Sequence, residues 1–145
     1  MAKFAQGKYA LKYPEKYVGG RTPTYRSSWE FAFMRFCDMN ESVTQWASEA
    51  IRIPYRNPLS NKLTIYVPDF FIVYTDKTGK QSVELIEVKP ASQTSLKEAG
   101  GSKYNQLHYV VNMAKWGAAR AWCKQKGIVF RVISEHDIFH QGKRR

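Results

Sequence analysis

The first regular spacing of hydrophobic residues along the chain predicts a helix that begins after Ser27. Trp29 and Phe33 have the four-residue spacing of one helix face. Ser27 and Glu30 have the spacing of a capping box, in which the hydroxyl and the carboxylate both accept hydrogen bonds from free backbone N–H groups. The pattern therefore predicts a helix that starts at Ser27 and ends near residues 38–40.

Apolar runs predict strands in the middle of the chain. Residues 43–53 indicate a short turn and then an alternating strand, which Pro54 ends. Residues 63–74 are rich in Ile, Val, Tyr and Phe and predict a strand interrupted by Pro68. Residues 82–89 predict its partner, because a tight Asp-Lys-Thr-Gly turn lies between the two runs. The pair is expected to form a β-hairpin.

The last third of the chain predicts a long helix over Lys103–Lys126 that stops at Gly127, followed by an apolar strand over residues 128–133. The expected buried face of this helix consists of Leu107, Val110, Val111, Ala114, Ala118, Ala121 and Trp122. The resulting order of helix, strand, hairpin, helix and strand predicts an α/β fold of the α+β kind, with a mixed sheet flanked by helices.

The distribution of residue types predicts one folded domain with two basic ends. A chain of 145 residues, 43% hydrophobic, suits a single compact domain, placed at residues 26–140. Residues 1–25 have no helical or strand period and predict a loosely ordered basic arm, which either lies along phosphates or keeps the protein soluble. Residues 141–145 are expected to form a basic tail.

Charge narrows the class of partner. The chain has 23 Lys and Arg against 12 Asp and Glu, a net charge of +11, which favours a polyanion and most commonly nucleic acid. A membrane is not an expected partner, because the sequence has neither a basic amphipathic helix nor a transmembrane run. Without a signal peptide the protein is expected in a reducing cytoplasm, with both cysteines as buried thiols.

Basic side chains on the predicted surface are candidates for sequence-independent contacts with DNA phosphates. Taken alone, each of them is better explained as an ordinary solvated charge, and only the set as a whole indicates phosphate contacts; nothing in the sequence looks like a recognition helix. We therefore expect the protein to recognise DNA structure or DNA ends rather than bases. The candidates are Arg52, Arg56, Lys62, Lys97, Lys103 and Lys115.

Two acids and a lysine on the predicted hairpin carry the candidate chemistry. Glu87 and Lys89 share one face of a strand, because strand side chains alternate with a period of two. Asp69 lies where the first strand begins, beside the end of the second. Two carboxylates suit Mg²⁺, with Mn²⁺ as a substitute, and leave room for water and phosphate oxygens. Lys89 would orient the water or neutralise the phosphate. The alternative is a surface hairpin with a cross-strand salt bridge.

Asp69 preceded by a proline, and then Glu87-Val88-Lys89, resembles the signature of the PD-(D/E)xK nuclease superfamily. Flanking sequence resembles the head completion nucleases of tailed phages and, less closely, the transposon-end endonuclease subunits; the runs that carry this are residues 25–30, 46–49, 53–55, 66–70 and 86–90. The resemblance implies a restriction-endonuclease-like core and a metal-dependent deoxyribonuclease. It further implies that Asp69 and Glu87 bind the metal and that Lys89 is the catalytic lysine.

The resemblance extends to two further side chains. Glu30 matches an acid that many members add to the metal site from the first helix, and its alternative role is the capping box. Gln106 matches a glutamine near the scissile phosphate, and its alternative is an ordinary exposed helix residue. Glu49 either lines the site or flanks a strand edge. His136 and His140 have the spacing of a zinc pair, but no third ligand is evident.

The biological setting is expected from the resemblance alone. It implies an endonuclease that processes DNA ends during phage head completion, in the host cytoplasm or associated with the virion. Portal or neck proteins and a second copy of the chain are expected partners beside DNA. Two alternatives stay open: a non-catalytic head protein that binds DNA or the portal, and a junction-resolving, homing or restriction-type endonuclease.

Overall fold

A computed structural model of the chain describes residues 6–94 and 100–137. In chain order the elements are β1 (Gly7–Lys8), β2 (Thr24–Tyr25), α1 (Ser28–Met39), β3 (Val43–Ser48), β4 (Ile53–Arg56), β5 (Leu63–Tyr66), β6 (Phe70–Thr75), β7 (Gln81–Val88), α2 (Lys103–Lys126) and β8 (Val129–Ile133). The central sheet has the order β3-β6-β7-β8. Its helices and mixed strand directions agree with the predicted fold class.

The strand directions follow from the connections. β3 and β6 are antiparallel, and so are β6 and β7, which the tight turn at Asp76–Gly79 joins. Gly79 adopts a φ of 87° in this turn, a conformation that favours glycine. β7 and β8 are parallel, since the chain crosses over through α2 between them. The predicted hairpin and the final strand are confirmed.

Local capping explains why both helices begin and end where the sequence predicts. The Ser27 hydroxyl accepts a hydrogen bond from the Glu30 backbone N–H at 3.1 Å, which satisfies a free donor at the start of α1. Ser102 caps α2 in the same way through Asn105. Gly127 ends α2 with a left-handed φ of 71°.

The strands around the two prolines differ from the prediction. The first strand of the sheet is β3, and residues 49–52 lie beyond it. Pro54 does not end a strand but lies inside β4, which pairs with β5 in a separate two-stranded ribbon, where a missing N–H is tolerated. Pro68 divides the predicted strand 63–74 completely, so that its halves belong to different sheets.

One apolar cluster lies on each face of the central sheet. Phe33, Met34 and Cys37 of α1 pack against Trp46 and Phe70. On the other face, α2 packs against the sheet and against the β4–β5 ribbon; its contributors are Trp116, Ala119 and Cys123, beside Ile53, Tyr66 and Leu85. Cys37 and Cys123 are buried free thiols, as expected.

The buried face of α2 agrees only in part with the predicted one. Four predicted residues are half-buried and pack against the cluster beneath the helix, namely Val111, Ala114, Ala118 and Trp122. Leu107 and Val110 are 45% and 40% exposed, whereas Trp116 is 2% exposed. The indole has more apolar surface to remove from water than a leucine or valine has. Ala119 gives it a small neighbour, which allows the helix to approach the sheet closely. The orientation of α2 therefore follows from Trp116.

Residues 6–25 differ from the loosely held arm that the sequence predicts. The fully buried Asp38 carboxylate accepts hydrogen bonds from the Tyr9 hydroxyl at 2.9 Å and from the backbone N–H groups of Lys12 at 2.8 Å and Tyr13 at 3.0 Å. Lys16 donates to the Asp38 carbonyl at 2.8 Å. These bonds hold the segment against the end of α1. The proposed domain bounds themselves stay predictions.

Several expectations fall outside the described residues: the basic tail at 141–145, His140 of the histidine pair and Lys97. His136 is described, and its backbone N–H donates to the Ser134 hydroxyl. Within residues 6–94 and 100–137, no helix is long and apolar enough to cross a membrane.

Loss of the Asp38 carboxylate is expected to destabilise the whole domain. Asp38→Ala leaves three donors without an acceptor in a buried place, which costs about 3 kcal/mol of the free energy of unfolding. Urea unfolding followed by circular dichroism measures this change. Asp38→Asn keeps an acceptor oxygen, so its loss should be smaller. An alanine variant as stable as the wild type would show that the segment is only loosely attached.

Candidate active site

The pairing of β6 with β7 brings Asp69 and Glu87 together. Phe70 lies opposite Ile86, so Asp69, one residue before β6, meets the end of β7. The Asp69 Oδ2 atom accepts a hydrogen bond from the Val88 N–H at 2.8 Å, and the Glu87 Oε1 atom accepts one from the Asp69 N–H at 3.3 Å. Each carboxylate thus holds the backbone beside the other, which orients both side chains.

Lys89 lies directly after β7 on the same side as Glu87. Its Nζ atom is 3.6 Å from the Glu87 Oε2 atom, and its side chain is 25% exposed against 5% for Glu87. The Lys89 backbone N–H donates to the Ile133 carbonyl of β8 at 2.9 Å. The predicted trio of Asp69, Glu87 and Lys89 is therefore one cluster, with the lysine on its solvent side.

The two carboxylates are unfavourably placed when both are ionised. Burial, together with the negative charge of Glu87, raises the pKa of Asp69 well above its usual range. Burial also raises the pKa of Glu87, and nearby Lys89, Tyr66 and Lys115 offset only part of that effect. A divalent cation between the two carboxylates would remove this repulsion.

The donor set fits a hard cation that keeps part of its water. Asp69 and Glu87 offer carboxylate oxygens, which Mg²⁺ and Mn²⁺ prefer. Within the two described stretches of the chain, no three His, Cys, Asp or Glu side chains lie close enough together to hold a metal ion, so Glu30 does not form such a group with Asp69 and Glu87. A site with two protein carboxylates leaves coordination positions for water and phosphate, as Mg²⁺ sites commonly do.

Glu30 lies within the electrostatic field of the trio. Its Oε1 atom accepts a hydrogen bond from the Arg26 N–H at 2.8 Å, one residue earlier than a capping box would place it. Burial raises the pKa of Glu30, and the charge of Glu30 in turn contributes to the raised pKa of Asp69. Its Oε2 atom accepts no hydrogen bond from the described residues. A capping role and a metal role therefore need not compete.

Glu49 lies next to this cluster at the end of β3. Its backbone N–H donates to the Asp69 carbonyl at 2.9 Å, and its φ of 52° is unusual for a residue with a side chain. Its carboxylate forms an ion pair with both terminal nitrogens of the Arg26 guanidinium. Glu49 thus lies at the end of β3 beside Asp69, with its carboxylate paired to Arg26.

Two residues that the sequence did not assign to the catalytic cluster lie beside it. The Tyr66 hydroxyl is buried beside Glu87, close enough for each to shift the pKa of the other, but it forms no hydrogen bond of normal geometry with the described residues. The Lys115 Nζ atom of α2 lies 5.6 Å from the centre of the Tyr66 ring. Burial and the charge of Lys89 lower the pKa of Lys115, while Glu87 and Asp69 act in the opposite direction. A second lysine therefore faces the carboxylates.

The sequence gives only a weak indication of Lys115 and Tyr66. Lys115 was one of six basic DNA-contact candidates, and its position depends on the rotation of α2. Tyr66 lies shortly before Asp69 in the run 66–70, and this closeness in sequence is what connects it with the site.

The remaining predicted residues lie outside the cluster. The Gln106 Nε2 atom donates to the Gly100 carbonyl at 3.1 Å, and no hydrogen bond or ion pair in the described part of the chain joins it to the trio. Arg56 donates to the Asn61 carbonyl at 2.8 Å in the β4–β5 turn. Lys62 and Lys103 are exposed. Their roles in catalysis or DNA binding stay predictions.

Comparison with known proteins gives two matches. The family model described as "TnsA-like endonuclease N terminal" matches residues 40–135, a span that includes the trio and Lys115. The "Head completion nuclease" of Enterobacteria phage T4 is 32% identical to the chain over 142 residues, covering 91% of this chain and 92% of that protein. Both agree with the two resemblances inferred from sequence motifs.

Removal of the Asp69 charge is expected to stabilise the metal-free protein at neutral pH. The raised pKa means that ionised Asp69 costs folding free energy above about pH 4, the pKa of an unfolded aspartate. Asp69→Asn should therefore raise the free energy of unfolding at pH 7.5 by on the order of 1 kcal/mol. The gain should vanish below pH 4. Urea unfolding in EDTA across this pH range measures it.

Asp76→Asn is the matched control, for which the expected change in the free energy of unfolding has the opposite sign. A side-chain hydrogen bond from Thr78, with backbone N–H groups of the turn, lowers the pKa of Asp76. Its stabilising contribution is present above the unfolded pKa and lost as the pH falls through the folded value. This variant should therefore be less stable than the wild type at pH 7.5. A stability gain from Asp69→Asn that persists unchanged below pH 4 would contradict the electrostatic explanation.

Proposed function

The chain belongs to the TnsA-like endonuclease family, and from this premise we propose that it hydrolyses DNA phosphodiester bonds with Mg²⁺ held by Asp69 and Glu87. The observation that carries the proposal is the mutual backbone bonding of the two acids, with lysines on two sides. Such an arrangement is costly for a purely structural hairpin, because buried like charges repel. It is suited to a site that gains its counter-charge from a bound cation.

The metal would supply Lewis-acid polarisation of the phosphate and a more acidic bound water. Asp69 and Glu87 would hold it through the carboxylate oxygens that do not accept the bonds from Val88 and Asp69 N–H. Glu30 would contribute through a water molecule bound to the metal, because it does not form a metal-binding group with the two acids. Mn²⁺ would serve in place of Mg²⁺, because both are bound by carboxylate oxygen and water.

Lys89 would orient the attacking water. Its ammonium group is held near Glu87 yet remains partly exposed, so it can donate a hydrogen bond toward the substrate side. A fixed donor at this place restricts the water to one orientation, which lowers the entropic part of the barrier. Its positive charge also offsets the negative charge that develops on the phosphate.

Lys115 would contact a non-bridging oxygen of the phosphate from the side of α2. Its charge is half-buried beside Tyr66, where the field of an ammonium group is screened less than in bulk water. The Tyr66 hydroxyl lies beside Glu87 and would donate to its carboxylate or to a water at the site. Together with Lys89, these groups would counter the charge of the phosphate.

The setting proposed for this activity is phage head completion, with processing of packaged DNA ends. The named activity of the T4 relative, at 32% identity across most of both chains, supports it. DNA is the proposed substrate, and portal or neck proteins and a second copy are proposed partners. The protein would act in the host cytoplasm and in association with the virion.

Cleavage of supercoiled plasmid in Mg²⁺ tests the activity. Asp69→Ala and Lys89→Ala should each lower the cleavage rate at least ~100-fold, the usual effect of removing a group that stabilises charge or moves a proton. Arg35→Ala, on the exposed side of α1, is the matched control and should keep the wild-type rate. EDTA should abolish cleavage. Cleavage that survives both catalytic substitutions would contradict the proposal. DNA binding without any cleavage would favour the non-catalytic alternative.

Lys115 variants test the second lysine in the same assay. Lys115→Ala should lower the rate ~10-fold or more, and Lys115→Arg should recover part of it because the charge is kept. Linear, nicked, flapped and four-way substrates compared side by side would separate end processing from junction cleavage. An unchanged rate in Lys115→Ala would remove this residue from the mechanism.

Metal binding can be measured without cleavage. Mn²⁺ at ten times its dissociation constant should stabilise the wild type by ~1.4 kcal/mol, since binding to the folded state alone shifts unfolding by that amount. Thermal unfolding with and without Mn²⁺ measures the shift. Asp69→Asn should show little shift, and Asp76→Asn should show the full one. Equal shifts in the wild type and Asp69→Asn would place the metal elsewhere.

A further inference from the structure

A polar cavity of about 470 Å³ lies beside the candidate active site. Three arginines line it: Arg21 before β2, Arg26 before α1 and Arg52 after β3. Ser48 and threonine side chains contribute hydroxyl groups, and Glu49 is the acid in its wall. The cavity is therefore basic, and it is rich in hydrogen-bond donors.

The acid in the wall of this cavity neutralises only one of the three arginines. Arg26 is neutralised by its ion pair with Glu49. Arg21 and Arg52 form no ion pair with any residue in the described part of the chain, and both are exposed. Two guanidinium groups thus face an open polar space without a counter-charge. Guanidinium forks match the oxygens of a phosphate in both geometry and charge.

The cavity is joined to the carboxylate cluster by two short connections. The Glu49 N–H donates to the Asp69 carbonyl at 2.9 Å, and the Arg26 N–H donates to the Glu30 carboxylate at 2.8 Å. Arg26 and Glu49 therefore belong to both places. A DNA strand whose scissile phosphate lies at Asp69 and Glu87 would pass the cavity with a neighbouring phosphate.

We propose that this cavity binds a second DNA phosphate, with Arg21 and Arg52 as its main ligands. The inference rests on the proposed nuclease function, since the DNA strand supplies the phosphate. Glu49 keeps Arg26 in the wall by its ion pair and leaves the other two arginines to meet the anion. An internal diester and a 5′-terminal monoester share the required chemistry. The cavity would thus align the strand, and for the monoester it would recognise a DNA end.

DNA binding in EDTA tests the cavity without cleavage. Fluorescence anisotropy would compare the wild type with an Arg21→Ala, Arg52→Ala double variant on short duplexes that carry a 5′-phosphate or a 5′-hydroxyl. The double variant should bind ~10-fold or more weakly, and the slope of log affinity against log salt should fall by about 1, because the contact with one phosphate is lost. A loss confined to the phosphorylated duplex identifies a terminal phosphate, and an equal loss on both identifies an internal one.

An Arg35→Ala, Lys80→Ala double variant is the matched control. It also removes two positive charges, but from exposed positions that do not line the cavity. Its thermal unfolding and that of the cavity variant should both match the wild type, which separates binding from folding. If the two double variants lose the same affinity and the same salt slope, the effect is net charge alone and the proposed site is overturned.

The same samples distinguish failure of this inference from failure of the nuclease proposal. Wild-type cleavage in Mg²⁺ with no specific loss in the cavity variant would overturn the second phosphate site and leave the nuclease function intact. Specific loss of binding in the cavity variant, with no cleavage by the wild type, would overturn the nuclease function and leave the cavity as a phosphate site.

Discussion

The register between β6 and β7 is the constraint on which the candidate site depends. Phe70 opposite Ile86 places Asp69 level with Glu87, and a shift of one residue would turn every side chain of the strand to the opposite face. Phe70 and Ile86 are both buried under α1, so the apolar core penalises such a shift. The positions of the two carboxylates are thereby determined by burial of their apolar neighbours. Two hydrogen bonds across the strand ends then refine that placement.

This arrangement keeps like charges together at a cost in stability. Burial and mutual repulsion disfavour ionised Asp69 and Glu87, and the nearby lysines relieve only part of the cost. The apolar clusters on both faces of the sheet supply the stability that tolerates it. Such local conflict is common where a site is organised for a bound cation rather than for the fold itself.

The features that could be predicted are those whose causes are local in sequence. Ser27 and Gly127 mark helix ends by their own hydrogen bonding and backbone conformation, and Asp69, Glu87 and Lys89 follow from strand period and a tight turn. β3 was missed because an irregularity between Val43 and Gln45 breaks its alternation. Lys115 and Asp38 could not be assigned, because the first depends on the rotation of α2 and the second on a partner 29 residues earlier.

The parallel pairing of β7 with β8 has a consequence for the order in which the site is completed during synthesis. The backbone of Lys89 is held by the Ile133 carbonyl, and Lys115 arrives on the helix between the two strands. A ribosome-bound chain that has released only the first hundred or so residues, on the order of two thirds of the domain, has its carboxylates but neither of these supports. The nascent chain therefore carries both acids before it has the strand that holds the Lys89 backbone and the helix that supplies Lys115.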